Sequence, residues 1–208
     1  MSENMRIWNS VSKTDPAHTK HVGQRGGFTA IDAHWQVQQA TETFGPVGEG
    51  WGYEVTHSTV DNGSMTIAVA DVIVWHGNRD NAYGPVRGMT EVVNAKGRVD
   101  MDAPKKALTD ALTKDLSHLG FSADVFLGKF DDNKYVAQVK REFAESAMPE
   151  RAKEILSAIK DIDSKERMAK AKEAWGKEVE QIRKDHPAAG MAIISAIKTK
   201  VDSFNTGE

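Results

Sequence analysis

The run Asp102-Ala-Pro-Lys-Lys-Ala-Leu-Thr-Asp-Ala-Leu-Thr-Lys-Asp-Leu-Ser-His-Leu-Gly120 is the clearest helix in this 208-residue chain. Asp102 is a good N-cap, and Pro104 in the first turn sacrifices no helical hydrogen bond. Leu108, Ala111, Leu112, Leu116 and Leu119 fall on one apolar stripe, and Gly120 is a natural stop. The polar face carries Lys106, Thr109, Asp110, Thr113, Lys114 and Ser117. Lys106, Asp110 and Lys114 are spaced i, i+4, i+8, so they share a side and can pair. Spacing alone favours a salt-bridged surface. A lysine row that contacts phosphates is the functional alternative.

Upstream, the pattern is a helix followed by an antiparallel meander. Ile7, Trp8 and Val11 suit a short amphipathic helix or anchor. Thr14 to Gly27 reads as a loop, because Pro and Gly punctuate it. Phe28-Thr-Ala-Ile31 reads as a short strand. Asp32 then caps a helix through Phe44 whose apolar face includes Trp35, Val37 and Ala40, and Gly45-Pro46 ends it. Trp51, Tyr53 and Val55 alternate as a half-buried strand requires. Asp61-Asn-Gly63 signals a hairpin. The next strand, Met65 to Trp75, is expected to show one face made of Met65, Ile67, Val69, Ile73 and Trp75. His76 to Pro85 reads as a second turn or loop, and Val86 to Val93 as a third strand.

Downstream, Phe121 to Phe130 is apolar and broken by Gly128, and the composition changes after about residue 138. Pro149 to Ile162 is helical, with Ala152, Ile155, Leu156 and Ile159 on one face. Asp163-Ser-Lys-Glu166 has the form of a capping box with Asp in the first place. Met168, Ala171, Trp175, Val179 and Ile182 approach a heptad seam. His186-Pro187 breaks that helix. Ile194, Ile197, Val201 and Phe204 give a last stripe. The expected class is α+β: helix, antiparallel β-meander in a β-β-β-α core packed on a long helix, and a C-terminal helical extension. Two regions follow, residues 1–138 and a charged helical region 139–208. The interleaved charges of the second read as solvated helix faces.

Composition narrows the chemistry. With 39% hydrophobic and 27% charged residues, the chain has enough apolar side chains for a core. The net charge of −3 carries no overall basic signal, so any nucleic-acid site must be a local patch or a groove repeated by oligomerisation. With no cysteine, disulfides and thiolate metal sites are excluded. There is no signal-peptide pattern and no apolar run near the roughly 20 residues of a membrane helix, so a soluble, cytoplasmic protein is expected. His18-x-x-His21 has metal-like spacing but sits in a loop with no third ligand evident. Asp131-Asp-Asn133 lacks the ligand spacing of an EF-hand. Gly45 to Gly52 is Gly-rich without the Gly-Lys-Ser/Thr of a P-loop. The sequence offers no case for catalysis, for ATP or for another cofactor.

The order of these motifs resembles the Rad-fifty-two superfamily of single-strand annealing proteins. Residues 30–55, Ala-Ile-Asp-Ala-His-Trp-Gln-Val-Gln-Gln-Ala-Thr-Glu-Thr-Phe-Gly-Pro-Val-Gly-Glu-Gly-Trp-Gly-Tyr-Glu-Val, look like that family's first helix, ending in Phe-Gly, and the Gly-Trp that starts a strand. A hairpin and third strand follow, then a helix of the form Lys-x-Ala-Val-Thr-Asp-x-Leu, here Lys105-Lys-Ala-Leu-Thr-Asp-Ala-Leu112, with Leu119-Gly120 closing it. Phe121-Ser-Ala-Asp-Val-Phe-Leu-Gly-Lys-Phe-Asp-Asp132 is similar to phage-encoded annealing proteins of the Sak type. The resemblance covers residues 8–137 and not the C-terminal helices.

What the resemblance implies is ATP-independent binding of single-stranded DNA and annealing of complementary strands in phage or prophage recombination. It further implies a homo-oligomeric ring or helical filament whose outer basic groove holds the DNA backbone and leaves bases exposed. A single-strand-binding protein or exonuclease is the implied partner. The expected DNA contacts are Lys20 and Arg25 before the first helix, Lys96 before the long helix, and Lys105, Lys106 and Lys114 on it. Thr113 and Ser117 stand where the family has basic residues. Trp8, Trp35, Trp51 and Trp75 can stack on bases, but three of them fall on expected apolar faces, so core packing is their expected role. A protein-interaction module using the C-terminal helices is the competing expectation, and a nuclease built on His18, His21 or Asp131-Asp132 is the third.

Overall fold

In the computed structural model, which describes residues 2–23, 27–61, 63–93 and 96–205, the chain divides into two units, residues 1–140 and 141–208.

The first unit is α+β. A short helix α1 (Arg6–Val11) leads to strand β1 (Thr19–Val22), which pairs antiparallel with β2 (Phe28–Ile31). The expected loop over Thr14 to Gly27 therefore contains a strand. Its Thr-Lys-His-Val has no apolar alternation, so nothing local marks it. Helix α2 (Ala33–Phe44) starts where Asp32 accepts a hydrogen bond from the His34 amide and ends at Gly45.

Three strands then form one antiparallel sheet in the order β3 (Trp51–Asp61), β4 (Thr66–His76), β5 (Asn78–Val93). Asp61 accepts from the Gly63 amide at 2.8 Å in the first hairpin; Asn62 lies outside the described residues. The second hairpin turns tightly at Gly77, with His76 opposite Asn78. Residues 78–85, expected as loop, are therefore strand.

Helix α3 (Ala103–His118) lies on β4 and β5. Its sheet-facing ridge is Ala103, Ala107 and Ala111, packed with Ala68, Ala70, Val72 and Val74 of β4. That corrects the expected inner face of β4, which was the opposite one. β4 is the central strand and apolar on both sides, so alternation cannot choose. Small side chains choose, because they let the helix approach. At Gly88 of β5 a Cβ would stand 2.1 Å from the Ala107 carbonyl oxygen and 2.5 Å from the Ala111 nitrogen. Gly88→Ala must push helix backbone off the sheet. A loss at the upper end of about 1–3 kcal/mol in urea unfolding is expected, with Met89→Ala on the exposed neighbouring position as the near-neutral control.

A second cluster sits under α1, α2 and the end of α3: Val11, Ala40, Trp51, Leu116 and Phe121. Gly120, at φ 105°, takes a conformation that side chains rarely adopt, and its Cα lies against Trp8. Trp35, Trp51 and Trp75 are buried and Trp8 is half-buried, in keeping with packing. Short helix α4 (Ala123–Phe126) and helix α5 (Asn133–Ser146) follow, and the division between the units falls within α5.

In the second unit, α6 (Glu150–Lys160), α7 (Lys165–Asp185) and α8 (Pro187–Asn205) enclose their own core of Ala152, Ile155, Ile159, Met168, Val179, Ile182 and Ile193. Two local expectations fail. The cap of α7 is Ser164, which accepts from the Arg167 amide, while Asp163 pairs with the Arg167 guanidinium at 2.9 Å. On α8 it is Ile193 that is buried and Ile194 that is exposed. Interleaved charges pair across the surface, as Arg151 does with Glu178 at 2.7 Å.

Candidate nucleic-acid interface

The outer face of α3 and strand β2 form the two walls of an open cleft of about 1020 Å³. Lys105, Lys106, Thr109, Asp110 and Thr113 line it from α3, Phe28 to Ile31 from β2, and Val125 and Phe126 from α4. The helix exposes this row because its opposite ridge of alanines is committed to the sheet.

Each lysine of α3 is ion-paired. Lys105 meets Asp102 at 3.0 Å, Lys106 meets Asp100 at 2.6 Å, and Lys114 meets Asp110 at 2.7 Å. Asp102 stands at the expected N-cap position, but its side chain accepts no helix amide and holds Lys105 instead. The hydrogen bond from Lys106 holds Asp100 below the usual carboxylate range and raises Lys106 in turn. All three lysines stay largely exposed. Such exposed pairs hold little net energy, so a phosphate can take the carboxylate's place.

Of the other expected contacts, Lys20 is exposed on β1 directly opposite Ala30, a residue of the cleft wall. No ion pair to Lys20 occurs among the described residues. Lys96 is exposed in the connection between β5 and α3. Arg25 lies outside the described residues. The structure therefore gathers Lys105, Lys106 and the Lys114–Asp110 pair at the cleft, with Lys20 across the ribbon, and holds Lys96 on the connection.

Two residues that the sequence reading passed over line the same cleft. Phe28 is 50% exposed and Phe126 is 49% exposed. Phe126 also borders a smaller hollow of about 370 Å³ with Trp8, Ser117, His118 and Leu127. The available signal was weak: Phe28 opens a strand, and Phe126 sits in a run read only as apolar.

His18 stacks on Trp35 with ring centroids 5.6 Å apart, and its Nδ1 lies 4.0 Å from Asp32. Asp132 accepts from the Lys134 amide at the start of α5. Among the described residues no three His, Cys, Asp or Glu side chains are placed to share a metal ion, and no helix is long and apolar enough to cross a membrane. No protein-family model and no curated protein matches this chain.

Proposed function

We propose that this protein binds single-stranded DNA and anneals complementary strands without ATP, as a Rad-fifty-two-type protein of phage or prophage recombination, and that it is not an enzyme. The observation that carries the reading is the cleft whose α3 wall presents Lys105 and Lys106 beside exposed aromatic side chains. Lysines bind phosphates without regard to sequence, which suits a protein that must accept any strand. The succession of a helix, a three-stranded meander and a long helix also supports it, as the arrangement expected of a β-β-β-α core.

Oligomerisation into a ring or filament belongs to the same proposal. Among the described strands β3 is a sheet edge, with β4 as its strand neighbour. α3 covers β4 and β5, so Tyr53 and Val55, on the helix side of β3, are left exposed. An open edge with apolar side chains is a template for a neighbouring chain. Assembly repeats a modest basic cleft many times, which reconciles DNA binding with a net charge of −3. Val55→Asp is expected to lower the mass measured by light scattering.

The test is annealing of labelled complementary strands without nucleotide. Lys20→Ala, Lys105→Ala, Lys106→Ala and Lys114→Ala should each weaken binding and reduce the salt slope by about 1. A strictly monomeric protein with no affinity for single strands ends the proposal. Cleavage of DNA in divalent metal would instead favour a nuclease.

A second reading takes the C-terminal helices as a docking module for a single-strand-binding protein or exonuclease. Favouring it are two adjoining grooves of about 880 and 710 Å³ that share Leu156, Lys160 and Ala192. A chain ending at residue 140 separates the readings: retained annealing assigns the activity to the first unit.

A further inference from the structure

We infer that Phe28 and Phe126 form an aromatic clamp that stacks on a nucleobase, so that each subunit grips its strand by a base as well as by phosphates. The inference rests on the reading of the cleft as a single-strand site. It concerns what part of the strand enters.

Two large aromatic side chains line one cleft and stay half exposed, Phe28 from β2 and Phe126 from α4. Neither belongs to a buried cluster. Both keep apolar area in water within the same cleft, area that a bound partner can cover. The chemistry of the rest of the lining selects the partner. Lys105 and Lys106 stand on the α3 wall and Lys20 lies across the ribbon from Ala30. The one acid in the lining, Asp110, is already held by Lys114. An apolar peptide would leave the lysines without a purpose, and a phosphate alone would leave the rings bare. A flat base joined to a phosphate answers both.

The hydroxyl row fits the same track. Lys105, Thr109, Thr113 and Ser117 succeed one another at intervals of four and lie along one side of α3. From Lys105 to His118 the helix rises about 20 Å, the length of about six nucleotides at the 3.4 Å spacing of a stacked strand. A clamp at one point of that track holds one base per subunit and fixes the register. The other bases stay free to pair.

The full-length protein is titrated with oligothymidylate and with an abasic oligomer of equal length and charge, over a range of salt. The wild type should bind oligothymidylate about ten-fold more tightly. Phe28→Ala and Phe126→Ala should each remove most of that preference, weakening thymidylate binding by up to about ten-fold. Abasic binding, salt slope and thermal unfolding should not change. Phe126→Trp should keep the preference, and Lys105→Ala should weaken both oligomers alike. If the wild type binds both oligomers equally, or if the Phe variants lose equally on both, the clamp is overturned while the single-strand reading stands. If the Phe variants alter particle mass and not the preference, the rings contact a second copy, and the clamp is again overturned. If the wild type binds neither oligomer, the single-strand reading fails and takes the clamp with it.

Discussion

Asp124→Ala is expected to cost the first unit about 3–5 kcal/mol. Asp124 is 2% exposed, yet its carboxylate is fully used. Oδ2 accepts from the Thr14 amide at 2.9 Å and from the Tyr135 hydroxyl at 2.9 Å, and Oδ1 accepts from the Thr14 hydroxyl at 2.6 Å and the Val125 amide at 2.9 Å. Thr14 is fully buried and lies 110 positions away in sequence. One side chain thus ties the N-terminal segment, α4 and α5 together. Alanine leaves four donors without that acceptor, each costing about 1–3 kcal/mol when buried, partly recovered where a hydroxyl can turn elsewhere and where the Val125 amide keeps its bond to the Ser122 carbonyl. Tyr135→Phe removes one donor together with its need and should cost about 1 kcal/mol. A double-mutant cycle between the two should show strong coupling. Urea unfolding followed by tryptophan fluorescence in a Trp175→Phe background reports on the first unit, since the other four tryptophans all lie within residues 1–140. A loss under 1 kcal/mol would show that the clasp contributes little.

Local signals proved legible, and partner-dependent ones did not. The bounds of α2 follow from Asp32 and Gly45-Pro46, which act within a few residues of where they stand. The extent of α3 was likewise readable, and its buried face in part: Ala111 and Leu116 are buried and Leu108, Leu112 and Leu119 partly so, but the ridge nearest the sheet was not. Leucines suggested one stripe, whereas contact with the sheet is made by alanines, because Gly88 and the small side chains of β4 bring the helix in close. That choice is written in the strand, not in the helix. The first half of β5, Asn78 to Tyr83, is polar and mostly exposed, so it carries no strand pattern. The cleft shows the same division. Lys106, Asp110 and Lys114 were readable as one exposed row, and the burial of three tryptophans was readable from their apolar neighbours. Phe28 and Phe126 were not, because they are about a hundred residues apart and only the packing of α4 beside β2 and α3 brings them to one cleft.

On α3 itself lies the carboxylate with the opposite circumstances to Asp124. Asp115 follows Ala103, Ala107 and Ala111 on the buried ridge and is itself fully buried. Neither of its carboxylate oxygens has a hydrogen-bond partner among the described residues. The Tyr83 hydroxyl donates at 2.6 Å to the Asp115 backbone carbonyl instead. Desolvation pushes Asp115 up from 3.8 to about 7. Burial, with the nearby Asp115 charge, pushes the Tyr83 phenol above its usual range. The folded state therefore keeps a proton that the unfolded chain releases near pH 4. With more protons bound when folded, stability must fall as pH rises from about 4 to about 7, and flatten above. The whole shift corresponds to about 4 kcal/mol, and water reaching the ionised group would reduce this to about 2–4 kcal/mol. Carboxylates held low by partners, such as Asp71 beside Arg87, act in the opposite sense at lower pH, so the informative quantity is a difference between variants. Asp115→Leu should be more stable than the wild type at pH 8 by most of that amount. The advantage should shrink through pH 7 and vanish or reverse near pH 4, as the neutral acid becomes tolerable. Unfolding free energies of the two proteins at a series of pH values test this directly. A difference independent of pH would mean that Asp115 is already ionised and solvated in the folded protein, and that its place on the ridge costs nothing electrostatic. Since the same helix presents Lys105, Lys106 and Lys114 on its far side, the pH at which Asp115 ionises is also the pH at which the seating of the proposed DNA wall on the sheet is weakened.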